Sequence, residues 1–233
     1  MKTVAEKIIG FNRSLSFKGS LPSDLRIMNP FQEDEQAVSV SEAFYRKYYS
    51  DQNPRRLILG INPGRFGAGA TGVPFTDPKR LIDKLGIEYS GKLLHEPSSV
   101  FVYEMIDAFG GAKAFYRNFY INSVCPLGFT IADKNGKEKN YNYYDSKELL
   151  TAVREFAVWN IKQQISISGT GDICYCMGTG TNLKILKQLN EEYHFFDTIV
   201  PLEHPRFIVQ YKQKQKEYYI QEYIRKLNEY RFI

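Results

Sequence analysis

The chain has 233 residues, a mass of 27.0 kDa and a net charge of +5, which suits one sizeable domain with its own core. No run of about 18 apolar residues occurs, so a membrane-spanning helix is excluded. Ile8-Ile9 before Gly10 is too short for the apolar centre of a signal peptide, and a cytoplasmic protein is expected.

Residues 1–50 read as short helices and turns that pack on the core. Leu21-Pro22-Ser23-Asp24 forms a turn leading into residues 24–28, and residues 41–49 have helical spacing. Leu57-Ile58-Leu59 predicts a buried strand over 57–61. It runs straight into Gly60-Ile61-Asn62-Pro63-Gly64-Arg65-Phe66-Gly67-Ala68-Gly69-Ala70-Thr71-Gly72-Val73-Pro74-Phe75, where the glycines prevent a continuing helix and let backbone approach a ligand closely. Gly67–Gly72 matches G-x-G-x-x-G, but it lies several residues past the strand, and Pro74 and Pro78 follow where a helix would propagate. The dinucleotide fingerprint is therefore not met. No Gly-Lys-Ser/Thr occurs, so there is no P-loop.

Further along, helices are predicted over 98–109, 146–167, 182–193 and 214–230, alternating with strands over 120–124, 173–177 and 198–202. Asp133-Lys134-Asn135-Gly136-Lys137 is a polar surface excursion, read as a turn or small hairpin. This alternation predicts an α/β fold, a three-layer α/β/α sandwich around a mainly parallel four-stranded sheet, as a single domain over residues 1–233.

Cys174 and Cys176 point the same way from their strand, but no third or fourth ligand lies nearby. With Cys125 they are expected to be reduced and buried, and no metal is expected. Near the C-terminus Arg206, Lys212, Lys214, Lys216, Arg225 and Lys226 interleave with Tyr211, Tyr218, Tyr219 and Tyr223. That pattern suits a polyanion with exposed bases, and equally a solvated helix whose tyrosines pack inward.

Three polar side chains fall at predicted strand ends: Asn62, Asn122 and His204. Carboxyl ends of strands are where open α/β sheets bind ligands. Pro205 is expected to force a turn after His204. Asn122 offers an amide donor and acceptor side by side, the complement of a pyrimidine's O4 and N3–H. Phe75 could stack on such a ring, His204 could donate to O2, and Asn62 could hold a water. Together they describe a pocket for a neutral, planar, amide-edged heterocycle.

Gly60-Ile61-Asn62-Pro63-Gly64 with Thr71-Gly72-Val73-Pro74-Phe75 resembles the first motif of the single-strand-selective monofunctional uracil-DNA glycosylases. Asn122 with Cys125-Pro126-Leu127 is similar to that family's base-reading segment, and Leu202-Glu203-His204-Pro205 to its second motif. The resemblance spans most of residues 28–227. It implies a DNA glycosylase acting in base excision repair on uracil, or on some 5-substituted uracils, after the nucleotide is flipped out of the stack. Phe75 would stack on the base, Asn122 would read its edge, and Ile61, Gly64 and Arg65 would line its pocket. His204 would stabilise charge on O2, and Asn62 would position the attacking water.

The resemblance implies no cofactor, and DNA as the partner of a monomeric enzyme. The chain departs from the family at Arg65, where proline is usual, and after Pro205, where Ser-Pro-Arg-Asn usually follows. A wedge or DNA contact is thus expected from Arg206, Phe207, Ile208 or Lys212. Gly64 stands where the first-described glycosylase family carries a tyrosine beside the base's C5 atom, which implies room there for water or a small substituent. Two other readings remain open: a DNA-binding module of the same fold that does not cleave, and a cofactor-dependent α/β enzyme.

Overall fold

The computed structural model describes residues 1–230; the last three residues of the expected domain lie outside the described residues. Thr3 opens the first helix, α1 (Val4–Ser14). Its hydroxyl accepts the Glu6 N–H while the Glu6 carboxylate accepts the Thr3 N–H, a reciprocal cap. A strand, β1 (Leu25–Met28), and a single-turn helix, α2 (Pro30–Glu33), precede α3 (Glu35–Tyr48). Asp34 caps α3 by accepting the Gln36 and Ala37 N–H groups. This cap starts the helix earlier than its apolar spacing indicates. α1 packs against α3 and α8 (Lys147–Ser168, below), and β1 is a strand that the sequence does not announce.

β2 (Arg56–Gly60) enters the glycine-rich loop, whose only helix is the single turn α4 (Ala68–Thr71). Then come α5 (Pro78–Asp83), α6 (Pro97–Phe109) and α7 (Ala112–Asn118). Gly110 and Gly111, at φ of 116° and 87°, separate the last two with a backbone that other residues rarely adopt. β3 (Phe119–Ser123) leads to β4 (Gly128–Ala132) and β5 (Glu138–Tyr141), joined through the polar 133–137 turn. The chain continues through α8, β6 (Ile173–Met177), α9 (Thr181–Tyr193), β7 (Thr198–Leu202), α10 (Pro205–Tyr211), a 3₁₀ turn (Gln213–Gln215) and α11 (Lys216–Glu229). Among the described residues no helix is long and apolar enough to cross a membrane.

The central sheet has four parallel strands in the order β3-β2-β6-β7, with Leu59 level with both Asn122 and Cys176 and Met177 level with Leu202. Helices cover it: α8 lies on β2 and α9 on β6, while α6 packs against α10 and α11. β2, β3 and β6 are almost entirely buried, which is why apolar residues dominate them, with Asn122 and Ser123 at the carboxyl end of β3 as the polar exceptions. Cys125, Cys174 and Cys176 are free and buried, and burial pushes the Cys125 and Cys176 thiols up to about 12.

A second, antiparallel sheet, β1-β4-β5, pairs Leu25 with Ile131 and Phe129 with Tyr141. It stands beside the carboxyl end of β2, and Tyr141 at its edge reaches the Asn62 side chain.

Where β2 begins, Arg55 is fully buried. Its guanidinium grips Asp51 through two 2.8 Å bonds, donates to Tyr116 O at 2.8 Å, and lies 4.7 Å over the Tyr49 ring. This fork joins the segment after α3, α7 and the residue just before the central strand, a geometry that only a planar guanidinium supplies.

Candidate active site

A cavity of about 290 Å³ opens at the carboxyl ends of β2 and β7. Ile61, Asn62, Gly64 and Phe75 line it from the first side, His204, Arg206 and Phe207 from the other. Four separately predicted residues (Asn62, Gly64, Phe75 and His204) thus meet in one place.

Asn62 leaves the end of β2 with its amide already held. Oδ1 accepts the Tyr143 N–H at 3.0 Å, and Nδ2 donates to Tyr141 O at 3.2 Å. A carbonyl oxygen has two lone pairs, so Oδ1 keeps one for a further donor. Phe75 sits in the left-handed region at φ 52°, a costly conformation for an aromatic residue. Its ring lies across the end of β2, where a Cβ on Gly60 would come within 3.1 Å of it, and 6.0 Å from the His204 ring.

His204 caps α10. Its Nδ1 accepts the Arg206 N–H at 3.1 Å, so the ring proton of the neutral form sits on Nε2. Burial, and secondarily the Arg206 charge, lowers its pKa to about 4, which keeps the ring neutral near pH 7. Pro205 does not break the chain into a turn as expected. It occupies the first helical position of α10, where its missing N–H has no partner to lose and its fixed φ suits the helix.

Asn122 is placed differently from its neighbours. It lies off the main wall, lining a smaller cavity of about 20 Å³ that shares Pro63, Ala68, Pro74 and Ser123 with the first. Its Nδ2 donates to the Tyr120 hydroxyl at 2.7 Å and its Oδ1 accepts the Ser123 N–H at 2.8 Å. Each bond uses half of the amide's capacity. Arg65 also departs from expectation: it is not among the residues that line the cavity, and its guanidinium stacks 4.8 Å over the exposed Phe66. Glu96 and Asn140 are the side chains that a Cβ on Gly64 would approach from elsewhere in the chain.

The candidates for a wedge separate by burial. Ile208 is 0 % exposed and belongs to the core, so it is not available to part base steps. Phe207 remains at the mouth beside Tyr211, which is 66 % exposed. Lys212 forms the C-cap of α10 and does not line the cavity. The basic, aromatic C-terminal segment is divided: Lys216 pairs with Glu104, Arg225 with Glu222, Lys226 donates to Pro201 O and Tyr223 is buried, whereas Tyr211 and Tyr218 are exposed.

Sequence reasoning missed Glu96, Ser98, Ser123, Asn140, Asn142 and Gln210, which also line the cavity. Two of them come from the antiparallel hairpin and its exit, whose pairing is not visible as periodicity. Glu96 is the one with unusual electrostatics. Burial, then the Asp77 charge, pushes its carboxyl up to about 7, opposed by Arg206.

The model of the uracil DNA glycosylase superfamily matches residues 46–228. No curated protein matches the chain. Among solved structures, the chain is similar to wild-type SMUG2 from Pedobacter heparinus, at 61% identity over 98% of both chains and a TM-score of 0.96.

Proposed function

Because the chain belongs to the uracil DNA glycosylase superfamily, we propose that it is a monofunctional DNA glycosylase that hydrolyses the N-glycosidic bond of uracil in DNA. The observation that carries the reading is the state of His204: a neutral ring whose Nδ1 is occupied and whose Nε2–H is left to donate into the cavity.

In this reading the flipped base stacks on Phe75. The C1′–N1 bond breaks with its electron pair passing to the base, and His204 Nε2–H donates to O2 as charge gathers there, help of the oxyanion-hole type. Asn62 Oδ1 uses its remaining lone pair to hold a water. The oxygen of that water bonds to C1′ and its proton leaves to solvent. Asparagine is too weak a base to drive this attack, so departure of the base leads and the sugar becomes cationic first. Among the described residues no lysine lines the cavity, which fits simple hydrolysis without strand cleavage. Asn122 would read the base edge with the N–H and lone pair that its present bonds leave over.

The test is release of uracil from an oligonucleotide carrying one such base, followed by hot alkali to reveal the abasic site. His204→Ala should lower the single-turnover rate by about 10²–10³-fold, and Asn62→Ala by roughly 10²–10⁴-fold. A protein that binds the oligonucleotide and leaves no abasic site would be the non-cleaving module instead.

A further inference from the structure

An asparagine amide keeps nearly the same shape when its oxygen and its NH2 change places, so the groups that hold it decide which end presents a lone pair. For Asn62 these are the Tyr143 N–H, 3.0 Å from Oδ1, and the Tyr141 carbonyl, 3.2 Å from Nδ2. Tyr141 ends β5, but Tyr143 lies beyond it, in the turn between β5 and α8. Asp145 closes that turn: its N–H donates to Asn142 O at 3.0 Å, and its carboxylate accepts the Asn142 N–H at 2.8 Å. Asp145 is itself exposed, so these bonds shape the turn without fixing its place in the molecule. The Tyr143 side chain does that. It is 1 % exposed, and its hydroxyl donates to Asn182 Oδ1 at 2.9 Å. Burial pushes that hydroxyl well above the usual tyrosine range, so it remains a donor. Asn182, in the first turn of α9, is equally buried. Its Nδ2 donates to Met177 O at 3.1 Å and to Cys176 Sγ at 3.4 Å, which leaves its oxygen facing Tyr143. Met177 ends β6, a wholly buried strand of the central sheet. A line of support therefore runs from β6 through Asn182 and Tyr143 to Asn62.

We propose that Tyr143 and Asn182 are positioning residues for the hydrolysis, a brace from β6 that keeps the Asn62 oxygen, and not its NH2, turned to the attacking water. The proposal rests on the glycosylase reading and deepens it. Neither residue lines the cavity, so both act through Asn62. Removing the Tyr143 hydroxyl would leave Asn182 Oδ1 buried without a partner, the costly outcome, and would release the turn from the sheet. A displacement of about 1 Å at a positioned group is enough to cost roughly 10²-fold in rate. Release also lets the Asn62 amide turn over. Its NH2 would then donate to the water's oxygen, drawing on the electrons that must bond to C1′, instead of accepting the water's O–H.

The experiment measures single-turnover release of uracil from a single strand over a range of enzyme concentrations. It compares the wild type with Tyr143→Phe, Asn182→Ala, Asn62→Ala and the double variant Asn62→Ala/Tyr143→Phe. The side-chain amide NMR signals of Asn62, identified by their loss in Asn62→Ala, are recorded alongside. Tyr143→Phe should lower the saturated rate about 10- to 100-fold and leave the half-saturating enzyme concentration within about twofold of wild type. Asn182→Ala should do the same; should it not fold, Tyr143→Phe, which keeps the ring, decides alone. Added to Asn62→Ala, Tyr143→Phe should cost nothing further, whereas a general loosening of the fold would slow both backgrounds alike. In Tyr143→Phe the Asn62 amide signals should shift and exchange faster with solvent, and they decide the matter if Asn62→Ala is too slow to measure. A wild-type saturated rate in Tyr143→Phe, an equal further loss on Asn62→Ala, or unmoved Asn62 signals overturns the proposal while leaving the glycosylase reading standing. A wild type that releases no uracil overturns both.

Discussion

His204 keeps its ring proton on Nε2 for two separate reasons: Nδ1 is engaged by the Arg206 N–H, and burial opposes a second proton. With its pKa lowered to about 4, the ring is neutral throughout the range in which a free histidine titrates, near 6.5. Glu96 titrates higher, at about 7, and its ionisation places a negative charge beside a base that is itself becoming anionic. Uracil release by the wild type should therefore decline as pH rises through about 7. In Glu96→Gln that decline should vanish, leaving a flat profile between roughly pH 5.5 and 8. Single-turnover rates across that range check it. A fall through about 6.5 in Glu96→Gln would mean that the imidazolium is the working form. The same shift makes His204 a source of acid sensitivity: as pH drops below 6.5 the unfolded chain takes up a proton that the folded ring refuses until about pH 4, so this contribution to stability is lost progressively across that interval.

At the scale of elements, α10 divides its side chains by function. Phe207, Gln210 and Tyr211 face the cavity mouth, one turn apart, while Ile208 faces the core. Phe207→Ala and Tyr211→Ala should each weaken binding of a uracil-containing single strand, by roughly fivefold or more if a base stacks on each ring at ~1–3 kcal/mol. Ile208→Ala should instead lower stability by ~2–5 kcal/mol. Fluorescence anisotropy and urea denaturation separate the two effects, and unchanged affinity in the doubly substituted Phe207→Ala/Tyr211→Ala protein would remove α10 from DNA contact. This helix is not legible in the sequence because a proline after an apolar strand reads as a breaker, whereas at the first helical position it is a starter. β6 and β7, by contrast, are legible to the residue: β6 is wholly buried in a parallel sheet and so is a continuous apolar run, and β7, at the sheet edge and only partly buried, is still apolar from Ile199 to Leu202. β1 and β5 are not. They are short, partly exposed and polar, and their order comes from pairing with β4, as in Leu25 with Ile131, far away in the chain. The site follows the same division. Asn62, Phe75 and His204 are marked by the strands they terminate, whereas Glu96 lies in a stretch without periodicity and acquires its place only when Gly64 and Gly67 leave room for it.

For the molecule as a whole, the Arg55 fork is the joint between the N-terminal helices and the central sheet. Arg55→Met would strand the buried Tyr116 carbonyl and leave Asp51 unpaired. Since Asp51 is partly exposed, the cost should fall toward the lower end of the ~3–5 kcal/mol seen when one member of a buried pair is removed. The midpoint of urea denaturation measures it, and an unchanged midpoint would show that the helices and sheet hold together without this joint.

The tether of Asn62 to Tyr141 and Tyr143 has a consequence for how such a protein would survey a genome. Its amide is set by folding, before any base arrives, so no ordering cost is deferred to the moment of encounter. Each nucleotide turned into the cavity then meets a template already fixed. The time spent on a sound base would be governed by how quickly that base swings back, not by how long the protein takes to make up its mind.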